Sequence, residues 1–577
     1  MIGNEAVARG LYEGGLKVVS SYPGTPSTEI TEFLSKYDDI YSEWAPNEKV
    51  AAEVCFGASV GGVRCACAMK HVGLNVAADP LFTLSYTGVR GGMVICVADD
   101  PGMHSSQNEQ DSRHYAIGAK VPMLEPADSS ECLEFAKKAF ELSEEFDTPV
   151  LLRVCTRIAH GQSVVETGER VNIADKPYEK EPAKYIMMPG NAIKRHPFVE
   201  QRTEKIREFS EKCEFNRVEY GSSDLGIITS GACYQYVKEV FGNDVSVLKL
   251  GLVNPLPVDT IKDFASKVKR LVVIEELDPV IENHCLALGL KVEGKSLFGY
   301  LGELSQRKIA EAFGIEDKPF SALENPVPVR PPMMCAGCPH RGMYYVLAKN
   351  KVTVFGDIGC YTLGMVPPLR AADFLFCMGS SVSAGSGFAM VSDRPVVGFI
   401  GDSTFFHSGM TGLANAVFNK HDVLLVILDN GTTAMTGHQP NPGVCTSVLG
   451  EGCNHLDIES VVRGIGVTDV AKVKPFNMRG TLKTIEEMKA RSGVRVIIAE
   501  EPCMLFARRT LKQNRPQVAE VATQGEEALK CLAELACPAF RRGGTAEAPV
   551  VSVDESQCSG CMVCLQVTPA IRARKRS

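Results

Sequence analysis

Strand-like and helix-like stretches alternate along nearly the whole chain, and this alternation restricts the fold more than any other feature. Short apolar runs such as 92–98, 149–154 and 423–428 have the length and composition of buried strands. Helix-like stretches lie between successive runs, an order typical of parallel sheets. The sequence therefore predicts an α/β protein whose parallel sheets are flanked by helices. At 577 residues the chain should hold three or four domains.

Composition excludes several classes of protein. The net charge of −8 argues against a nucleic-acid partner. No apolar run reaches the roughly 18 residues of a membrane span, and no basic segment followed by an apolar core opens the chain as in a secretory signal. The 21 cysteines stand mostly singly in apolar stretches, where a small buried thiol is the common state. We therefore expect a cytoplasmic protein in a reducing compartment, with no membrane and no nucleic-acid partner.

The end of the chain carries three evenly spaced cysteines, Cys558, Cys561 and Cys564. Thiolates at this spacing can bind three corners of one 4Fe–4S cluster, and Cys537, which precedes a proline, can supply the fourth. A structural zinc site is the alternative, although zinc usually takes spaced pairs of cysteines rather than an even triplet. The pattern favours a small C-terminal iron–sulfur domain, ferredoxin-like and of the α+β class.

A second cluster motif is only partly present. In a two-cluster ferredoxin each run of three cysteines is followed by a ligand that serves the other cluster. Three and six residues before Cys531 lie Ala528 and Gly525 instead of cysteines. The crossing ligand after Cys564 would fall at Thr568. The sequence therefore predicts one intact cube and one erased cube, with Cys531 binding no iron.

Polar residues follow two apolar runs in the third predicted block. Gly401-Asp402-Ser403 follows the run 396–400, and Asn430 follows the run 423–428. Ligand sites in open α/β sheets lie at the carboxyl ends of the strands. An oxygen set of Asp, Asn and a main-chain carbonyl suits a Mg²⁺ ion that bridges a diphosphate. A lone Gly-Asp pair is common in ordinary turns and would indicate little. The asparagine at the end of the neighbouring strand is what favours a metal site.

This arrangement resembles the thiamine-diphosphate fingerprint, which begins at Gly-Asp and ends at an Asn about a helix and a strand later. By that resemblance Asp402, Asn430 and the main-chain carbonyl of Thr432 would hold the magnesium ion. Gly401 and Ser403 would line the diphosphate.

Thiamine enzymes also need a carboxylate against the aminopyrimidine ring of the cofactor. Glu48 stands nine positions before a Gly-Ala-Ser element at 57–59. This spacing resembles the pyrimidine domain of 2-oxoacid:ferredoxin oxidoreductases, and Glu53 does not fit the same position. The alternative is a surface glutamate in the first turn of a helix, where the positive end of the helix dipole favours it.

Further stretches resemble the same family, and in particular the large alpha subunits of its indolepyruvate type. A Tyr-Pro-Gly-Thr-Pro-Ser loop at 22–27 resembles one whose threonine, here Thr25, contacts the 2-oxo acid, and an N-cap role for Thr25 is the alternative. The resemblance covers nearly the whole chain, and the depleted second cluster motif is its departure. The other matching stretches are 70–75, 335–342 and 429–440.

Three histidines lie in these stretches, His71, His340 and His438. His71 is the main candidate to face the thiazolium ring or the substrate. A plain hydrogen-bond donor to the backbone is the alternative for each of them.

The resemblance also gives the middle cysteines a role. In related pyruvate enzymes a proximal cluster near thiamine is held by a Cys-x2-Cys pair, a Gly-Cys some 25 residues later and a still later Pro-Cys. Cys335, Cys338, Cys360 and Cys503 occur in that order here. The alternatives are reduced core thiols, or a pair at 335 and 338 that only shapes the cofactor loop.

The predicted domains follow from these motifs and from the composition of the segments between them. They are a pyrimidine-binding domain at 1–165, a linker with some helix at 166–221, a transketolase C-terminal-like domain at 222–325, a pyrophosphate-binding domain at 335–515 and the ferredoxin-like domain at 516–577.

The resemblance implies oxidative decarboxylation of arylpyruvates, of the indolepyruvate type, to arylacetyl-CoA. It implies thiamine diphosphate, Mg²⁺ and at least the C-terminal 4Fe–4S cluster as cofactors, with coenzyme A as co-substrate. Electrons would pass through iron–sulfur clusters to ferredoxin. A smaller beta subunit is expected, because related single-chain enzymes carry one more domain, and the assembly would be α2β2.

Two other functions stay open. A non-oxidative thiamine-diphosphate decarboxylase or ligase would use Asp402, Asn430 and Glu48, but it has no use for the cysteine tail. An electron-transfer scaffold subunit would carry an inactive thiamine fold, and the intact metal motif speaks against it.

Overall fold

Two units make up the chain, Met1–Ala322 and Leu323–Ser577. Each contains parallel sheets flanked by helices, which confirms the predicted fold class. The end of the predicted 222–325 domain, and part of the segment that joins it to the predicted 335–515 domain, lie outside the described residues. The computed structural model describes residues 1–316, 327–328, 331–350, 352–452 and 454–576.

The first unit carries two sheets with helices between their strands. Its strands are β1 (Val18–Ser21), β2 (Tyr41–Trp44), β3 (Cys65–Lys70), β4 (Met93–Asp99), β5 (Met123–Leu124), β6 (Val150–Cys155), β7 (Arg217–Glu219), β8 (Ser222–Ser230), β9 (Val245–Leu250), β10 (Leu252–Asn254) and β11 (Arg270–Ile274). Its helices are α1 (Gly3–Glu13), α2 (Thr28–Leu34), α3 (Glu48–Val60), α4 (His71–Val76), α5 (Ala78–Thr87), α6 (Arg113–Ala119), α7 (Ser129–Phe146), α8 (Thr156–His160), α9 (Pro182–Tyr185), α10 (Pro189–Ser210), α11 (Gly231–Phe241), α12 (Val258–Ser266), α13 (Val280–Ala287), α14 (Lys295–Phe298) and α15 (Gln306–Ala312).

A seven-stranded sheet in the order β10-β5-β6-β4-β3-β1-β2 dominates this unit, and its pairs are parallel except β10 with β5. A four-stranded sheet follows in the order β11-β8-β9-β7, with only β7 antiparallel to its neighbour. The predicted linker at 166–221 contains α9, α10 and β7.

Strand β4 shows why helices cover both faces of the larger sheet. Successive side chains of a strand point to opposite faces. Val94 and Cys96 belong to one buried apolar cluster, whereas Met93 and Ile95 belong to another. All seven residues of the strand are buried, as expected for a parallel sheet enclosed on both sides.

The second unit is built on a five-stranded, fully parallel sheet in the order β12-β13-β14-β18-β17. Its strands are β12 (Thr353–Phe355), β13 (Val396–Gly401), β14 (Val423–Asp429), β15 (Thr446–Ser447), β16 (Gly450–Glu451), β17 (Asp469–Val473), β18 (Val494–Glu500), β19 (Gln517–Val521), β20 (Phe540–Gly544), β21 (Pro549–Val553) and β22 (Ile571–Lys575). Its helices are α16 (Pro339–Ala348), α17 (Ser380–Ala389), α18 (Asp402–Thr404), α19 (Met410–Phe418), α20 (Ile458–Ile465), α21 (Met478–Lys489), α22 (Met504–Arg509) and α23 (Glu526–Ala533), with 3-10 turns at Cys360–Gly364 and Val563–Gln566.

The C-terminal tail joins the core of this second unit. It consists of two antiparallel strand pairs, β19 with β22 and β20 with β21, and the helix α23. Val518 and Ile571 of the tail belong to the same buried apolar cluster as Met343 and Tyr344 of α16. The tail therefore packs against α16, one of the helices that flank the parallel sheet of this unit.

Across the described ranges, every helix falls short of the length or the apolar character needed to cross a membrane.

Candidate active site

The structure brings the two polar strand ends together in the second unit. β13 and β14 pair in parallel, so Asp402 and Asn430 leave the same edge of the sheet. The N–H of Gly431 donates a hydrogen bond to Oδ2 of Asp402 at 3.0 Å. The N–H of Ser403 donates to Oδ1 of Asp402 at 2.8 Å. The Asp402 carboxylate thus lies directly against the turn that Asn430 begins.

The Asp402 carboxylate is buried, and the groups that donate hydrogen bonds to it are neutral. It is 3 % exposed, and Nδ2 of Asn441 donates to it at 3.0 Å. Among the described residues no Lys or Arg forms an ion pair with it. Burial is the main cause that raises the pKa of Asp402 to about 7, and the nearby Asp429 carboxylate contributes to the same rise. A divalent cation would compensate this buried negative charge, so the donor set fits magnesium.

The turn after β14 leaves room for a phosphate-bearing ligand. Gly431 has a φ of +70°, and a Cβ there would meet nothing within 4 Å in the described chain. The N–H of Thr432 donates to Oδ1 of Asn430 at 3.1 Å. Oγ1 of Thr433 donates to Oγ of Ser403 at 2.9 Å, which links the two predicted cofactor-binding turns. Backbone in this conformation can approach a diphosphate closely.

Asp357 is a third strand-end carboxylate that the sequence reasoning missed. It follows β12, the neighbour of β13, and accepts hydrogen bonds from the N–H groups of Gly379 at 2.8 Å and Ser381 at 3.0 Å. It thereby fixes the start of α17. Burial raises the pKa of Asp357 to about 6. The signal was present, because Gly356-Asp357 repeats the strand-then-Gly-Asp pattern of 401–402.

His340 lies beside the predicted metal ligand Asn430. Its Nε2 is 3.3 Å from Nδ2 of Asn430, and its ring packs edge-on against Tyr361. Burial lowers the pKa of His340 to about 4, so the ring is neutral at physiological pH. His438 lies further along, in a left-handed backbone conformation with a φ of +72° and stacked on Phe506.

Glu48 is the first residue of α3 and is buried at 5 % exposure. Asn47 caps the helix by accepting from the N–H of Val50 at 2.9 Å. A Cβ on Gly73 would lie 2.5 Å from Oε1 of Glu48. The glycine of the predicted 70–75 element therefore makes space for the glutamate carboxyl. An exposed first-turn glutamate, the alternative reading, does not describe this side chain.

Thr25 and His71 lie in the same unit as Glu48. The N-cap position of α2 is occupied by Ser27, not Thr25, so the N-cap alternative for Thr25 is wrong. The carbonyl of Thr25 accepts from Oγ of Ser105 at 3.5 Å. His71 begins α4 and is 1 % exposed, and burial lowers its pKa, which favours a neutral ring.

Lys70 is a charged residue at this site that the sequence reasoning missed. It ends the otherwise apolar strand β3, and its Nζ donates to the carbonyl of Ser105 at 2.6 Å. Ser105 thus contacts both Lys70 and Thr25. Burial lowers the pKa of Lys70 to about 8, against the opposite effect of Asp100. A lysine that ends a six-residue buried strand was the available signal.

Five cysteines of the second unit line one cavity. Four are the predicted ligands of the tail cluster, and the fifth belongs to the predicted proximal set. Cys531 does not line this cavity and is fully buried in the apolar core. The N–H of Ala519 donates to Sγ of Cys558 at 3.4 Å. The five are Cys338, Cys537, Cys558, Cys561 and Cys564.

Arg341 also lines this cavity and is 3 % exposed. Its guanidinium donates to the carbonyl oxygens of Leu535 at 2.7 Å and Met334 at 2.6 Å. Its Nε has no hydrogen-bond partner, and within the described ranges it forms no ion pair with a carboxylate. A buried cation without a counter-charge is costly, so the cavity suits an anionic group such as a thiolate-bound cluster.

The remaining members of the predicted proximal set are near one another and near Asp402. Burial is the main cause that raises the pKa of Cys360 to about 12, and the Cys503 and Cys335 thiols and Asp402 contribute to the same rise. The same neighbours, Cys335 and Asp402, add to the raised pKa of Cys503, whose main cause is burial. Burial likewise raises the pKa of Cys338 to about 12, with Arg341 acting in the opposite direction.

Within the described parts of the chain, no three His, Cys, Asp or Glu side chains are already arranged around a metal position. The magnesium and cluster ligand sets therefore stay predictions.

Two family profiles match the chain. Residues 9–216 match the profile described as pyruvate flavodoxin/ferredoxin oxidoreductase, thiamine diP-bdg. Residues 357–499 match the profile described as thiamine pyrophosphate enzyme, C-terminal TPP binding domain. The second match includes Asp402 and Asn430, and the first includes Glu48, Thr25 and His71.

Curated relatives match almost end to end. The indolepyruvate oxidoreductase subunit IorA of Methanothermobacter marburgensis is 44 % identical over 601 residues, covering 99 % of this chain and 96 % of its own. The subunit IorA of Methanothermobacter thermautotrophicus is 42 % identical over 604 residues with the same coverage. The 2-oxoglutarate synthase subunit KorA of the latter organism is 27 % identical, over 30 % of this chain and 48 % of its own.

Proposed function

The chain belongs to the family of indolepyruvate oxidoreductase IorA subunits, and from this we propose that it oxidises arylpyruvates of the indolepyruvate type. It is an oxidoreductase that acts on 2-oxo acids and binds thiamine diphosphate. In the proposed reaction an arylpyruvate, coenzyme A and two oxidised ferredoxins give arylacetyl-CoA, CO₂, a proton and two reduced ferredoxins. Each ferredoxin takes one of the two electrons released when the carboxyl group leaves.

The five-cysteine cavity is the observation that carries this proposal. It lies in the same unit as the Asp402–Asn430 turn. A non-oxidative decarboxylase releases no electrons and needs no such group of thiols. Cys338, at the start of α16, belongs to the cavity and also adjoins the Cys335 and Cys360 thiols near Asp402. The cysteines thus extend from the cofactor turn into the tail.

The residues present fit thiamine diphosphate with magnesium. We assign the metal to Asp402, Asn430 and the carbonyl of Thr432, and the diphosphate to Gly401 and Ser403. When bound, thiamine diphosphate supplies the nucleophilic carbon that attacks the 2-oxo group. Glu48, buried at the start of α3, is proposed to hold a proton against the aminopyrimidine ring. That role comes from the family resemblance, and the burial of Glu48 in the first turn of α3 supports it.

The residues also fit iron–sulfur clusters. We assign the tail cluster to Cys537, Cys558, Cys561 and Cys564. Arg341 supplies a fixed positive charge beside this thiol set, and Ala519 supplies an N–H to sulfur. A proximal cluster held by Cys335, Cys338, Cys360 and Cys503 is the further assignment.

Substrate binding is proposed for the Thr25, Lys70 and His71 group of the first unit. The ammonium of Lys70 can pair with the carboxylate of the 2-oxo acid. His71, neutral through burial, can hydrogen-bond the 2-oxo oxygen.

Assembly and location belong to the same proposal. We expect a smaller partner subunit, an α2β2 complex and ferredoxin as the electron acceptor. A reducing cytoplasm suits the chain because its described cysteines are all free thiols.

The test is an anaerobic assay of the chain expressed together with its smaller subunit. Indolepyruvate, coenzyme A and ferredoxin should give indoleacetyl-CoA and reduced ferredoxin, and leaving out either co-substrate should stop turnover. A non-oxidative enzyme would instead release the arylacetaldehyde without any acceptor, and that result would replace the proposal. An electron-transfer scaffold would bind iron but not thiamine.

A further inference from the structure

A cationic face surrounds a cavity next to the predicted cluster ligands. This solvent-open cavity of about 380 Å³ is lined by Arg508, Arg515 and Arg576, and also by Cys335 and Cys558. One guanidinium nitrogen of Arg576 donates to the carbonyl oxygen of Cys558 at 2.5 Å. Positive charge is therefore held directly at the main chain of a predicted tail-cluster ligand.

The positive charge extends beyond the cavity along two segments. The stretch 504–516 contains four Arg or Lys residues and no Asp or Glu, and the stretch 570–577 likewise contains four and none. Arg509, Lys512 and Lys575 are exposed. β22 pairs with β19, and the N–H of Arg576 donates to the carbonyl of Pro516, so the two segments are neighbours.

Few carboxylates neutralise this face. Arg515 pairs with Glu501 at 2.9 Å, and Arg574 pairs with Glu555. Glu520 pairs with Arg572 at 2.7 Å and with Arg574 at 3.8 Å. Within the described ranges, Arg508 and Arg576 form no ion pair with a carboxylate. The chain as a whole carries a net charge of −8, so this positive face differs from the rest of the protein. It favours a negatively charged partner.

We propose that this basic face, made of Arg508, Arg509, Lys512, Arg515, Lys575 and Arg576, is the docking site of a small acidic iron–sulfur carrier protein. The inference rests on the proposed function, since it requires that electrons leave the chain. Each docked carrier takes up one electron from the chain, which is oxidised by one electron. Two dockings therefore complete the oxidation of one 2-oxo acid.

The cavity itself favours a protein over a phosphate-bearing small molecule such as coenzyme A. The thiol of coenzyme A must reach the reacting carbon near Asp402. The lining of this cavity includes none of Asp402, Asn430 and Thr432. It does include Cys335 and Cys558, one from each predicted cluster, so a carrier seated over it stands close to both.

The test uses the complete complex with its smaller subunit and a purified acidic ferredoxin that carries a single cluster. The charge-reversed double variant R508E/K512E should raise the KM for ferredoxin about ten-fold or more. Its iron content and its rate with a viologen dye, which needs no protein docking, should match the unmodified complex. The control variant R394E/K483E changes two exposed cations elsewhere on the same unit and should leave the KM for ferredoxin unchanged.

The outcomes separate the two proposals. No dye reduction by the unmodified complex would overturn the proposed function itself. Normal dye reduction with an unchanged KM for ferredoxin in R508E/K512E would overturn the docking site alone. A raised KM for coenzyme A instead would reassign the face to that co-substrate. If the double variant loses iron, the unmodified complex is assayed at increasing ionic strength instead. The docking site requires that the rate of ferredoxin reduction falls while the rate of dye reduction stays unchanged.

Discussion

The guanidinium of Arg341 donates to the carbonyl oxygen of Leu535 at 2.7 Å across 194 positions of the chain. The contact ties the helix that begins at Pro339 to the end of α23 in the tail. It also brings a buried positive charge to the wall of the cysteine cavity. The guanidinium thereby serves as a structural clamp and as a source of electrostatic potential.

Replacing Arg341 by Gln should make the reduction potential of the tail cluster more negative. A positive charge near an anionic cluster favours the reduced form, and its loss should shift the midpoint on the order of 60 mV, a ten-fold change in a one-electron equilibrium. Potentiometric titration followed by electron paramagnetic resonance measures it. Arg341→Lys keeps the charge but loses the fork of donors, so it should hold the potential near that of the unmodified protein. Equal shifts in both variants would assign the effect to lost hydrogen bonds.

Asp402→Asn should abolish thiamine diphosphate binding. The substitution removes the charged ligand from a small, hard cation site. Thiamine and magnesium per chain, measured after desalting, should fall to background while iron is retained. The matched control is Asp469→Asn. Asp469 lies on the edge strand β17, and the substitution breaks its exposed ion pair with Arg491. Stoichiometric thiamine in Asp402→Asn would remove this residue from the metal site.

Glu48→Gln should leave the cofactor bound but slow proton exchange at the thiazolium carbon about 10²-fold or more, the usual contribution of an acid–base group. Deuterium exchange followed by nuclear magnetic resonance gives the rate directly, without need for turnover. Glu53→Gln changes an exposed carboxylate on the same helix that pairs with Lys49 and should exchange normally. An unchanged rate in Glu48→Gln would move the role to another residue.

Cys558→Ala should remove about four irons per chain, whereas Cys531→Ala should remove none. Cys558 lines the cavity and receives the N–H of Ala519, whereas Cys531 is not among the residues that line it. Iron quantitation with thiamine quantitation on the same samples distinguishes the two sites. Equal iron loss in the two variants would show that the tail ligands have been assigned wrongly.

Substrate affinity should weaken above about pH 8. Burial lowers the pKa of Lys70 to about 8, so its positive charge is present below that pH and is lost above it. The 2-oxo acid stays anionic throughout, and the KM should therefore rise with pH while kcat changes less. The groups that face Lys70 are Asp100 and His71. Lys70→Met should raise the KM at neutral pH and flatten the profile, and Lys138→Met, on an exposed helix face, should do neither. If the KM of Lys70→Met still rises with pH, the rise is caused by another titrating group.

The fold and the strand-end turn could be predicted because their determinants are local. Alternating apolar runs specify parallel strands, and neighbouring parallel strands must end at the same edge. Asp402 and Asn430 therefore meet without any knowledge of the rest of the chain. The proximity of the three tail cysteines could be predicted for a similar reason, because one short loop contains all of them.

The roles of the remaining site residues could not be predicted from local sequence, because contacts with residues distant in the sequence create these roles. Arg341 gains its partners from a segment almost 200 residues later. Lys70 acquires a lowered pKa only when Ser105 and the surrounding strands enclose it. The family resemblance assigned Cys338 to the proximal set, but the packed tail also places it on the wall of the five-cysteine cavity.

The shared core of the tail and α16 has a consequence for how the protein is made. Ile571, six residues before the end of the chain, belongs to the same apolar cluster as Met343 and Tyr344. The ribosome must release both of these distant segments before this cluster can close. Chains that terminate before the tail therefore expose the apolar surface of α16 and become targets for chaperones and proteases.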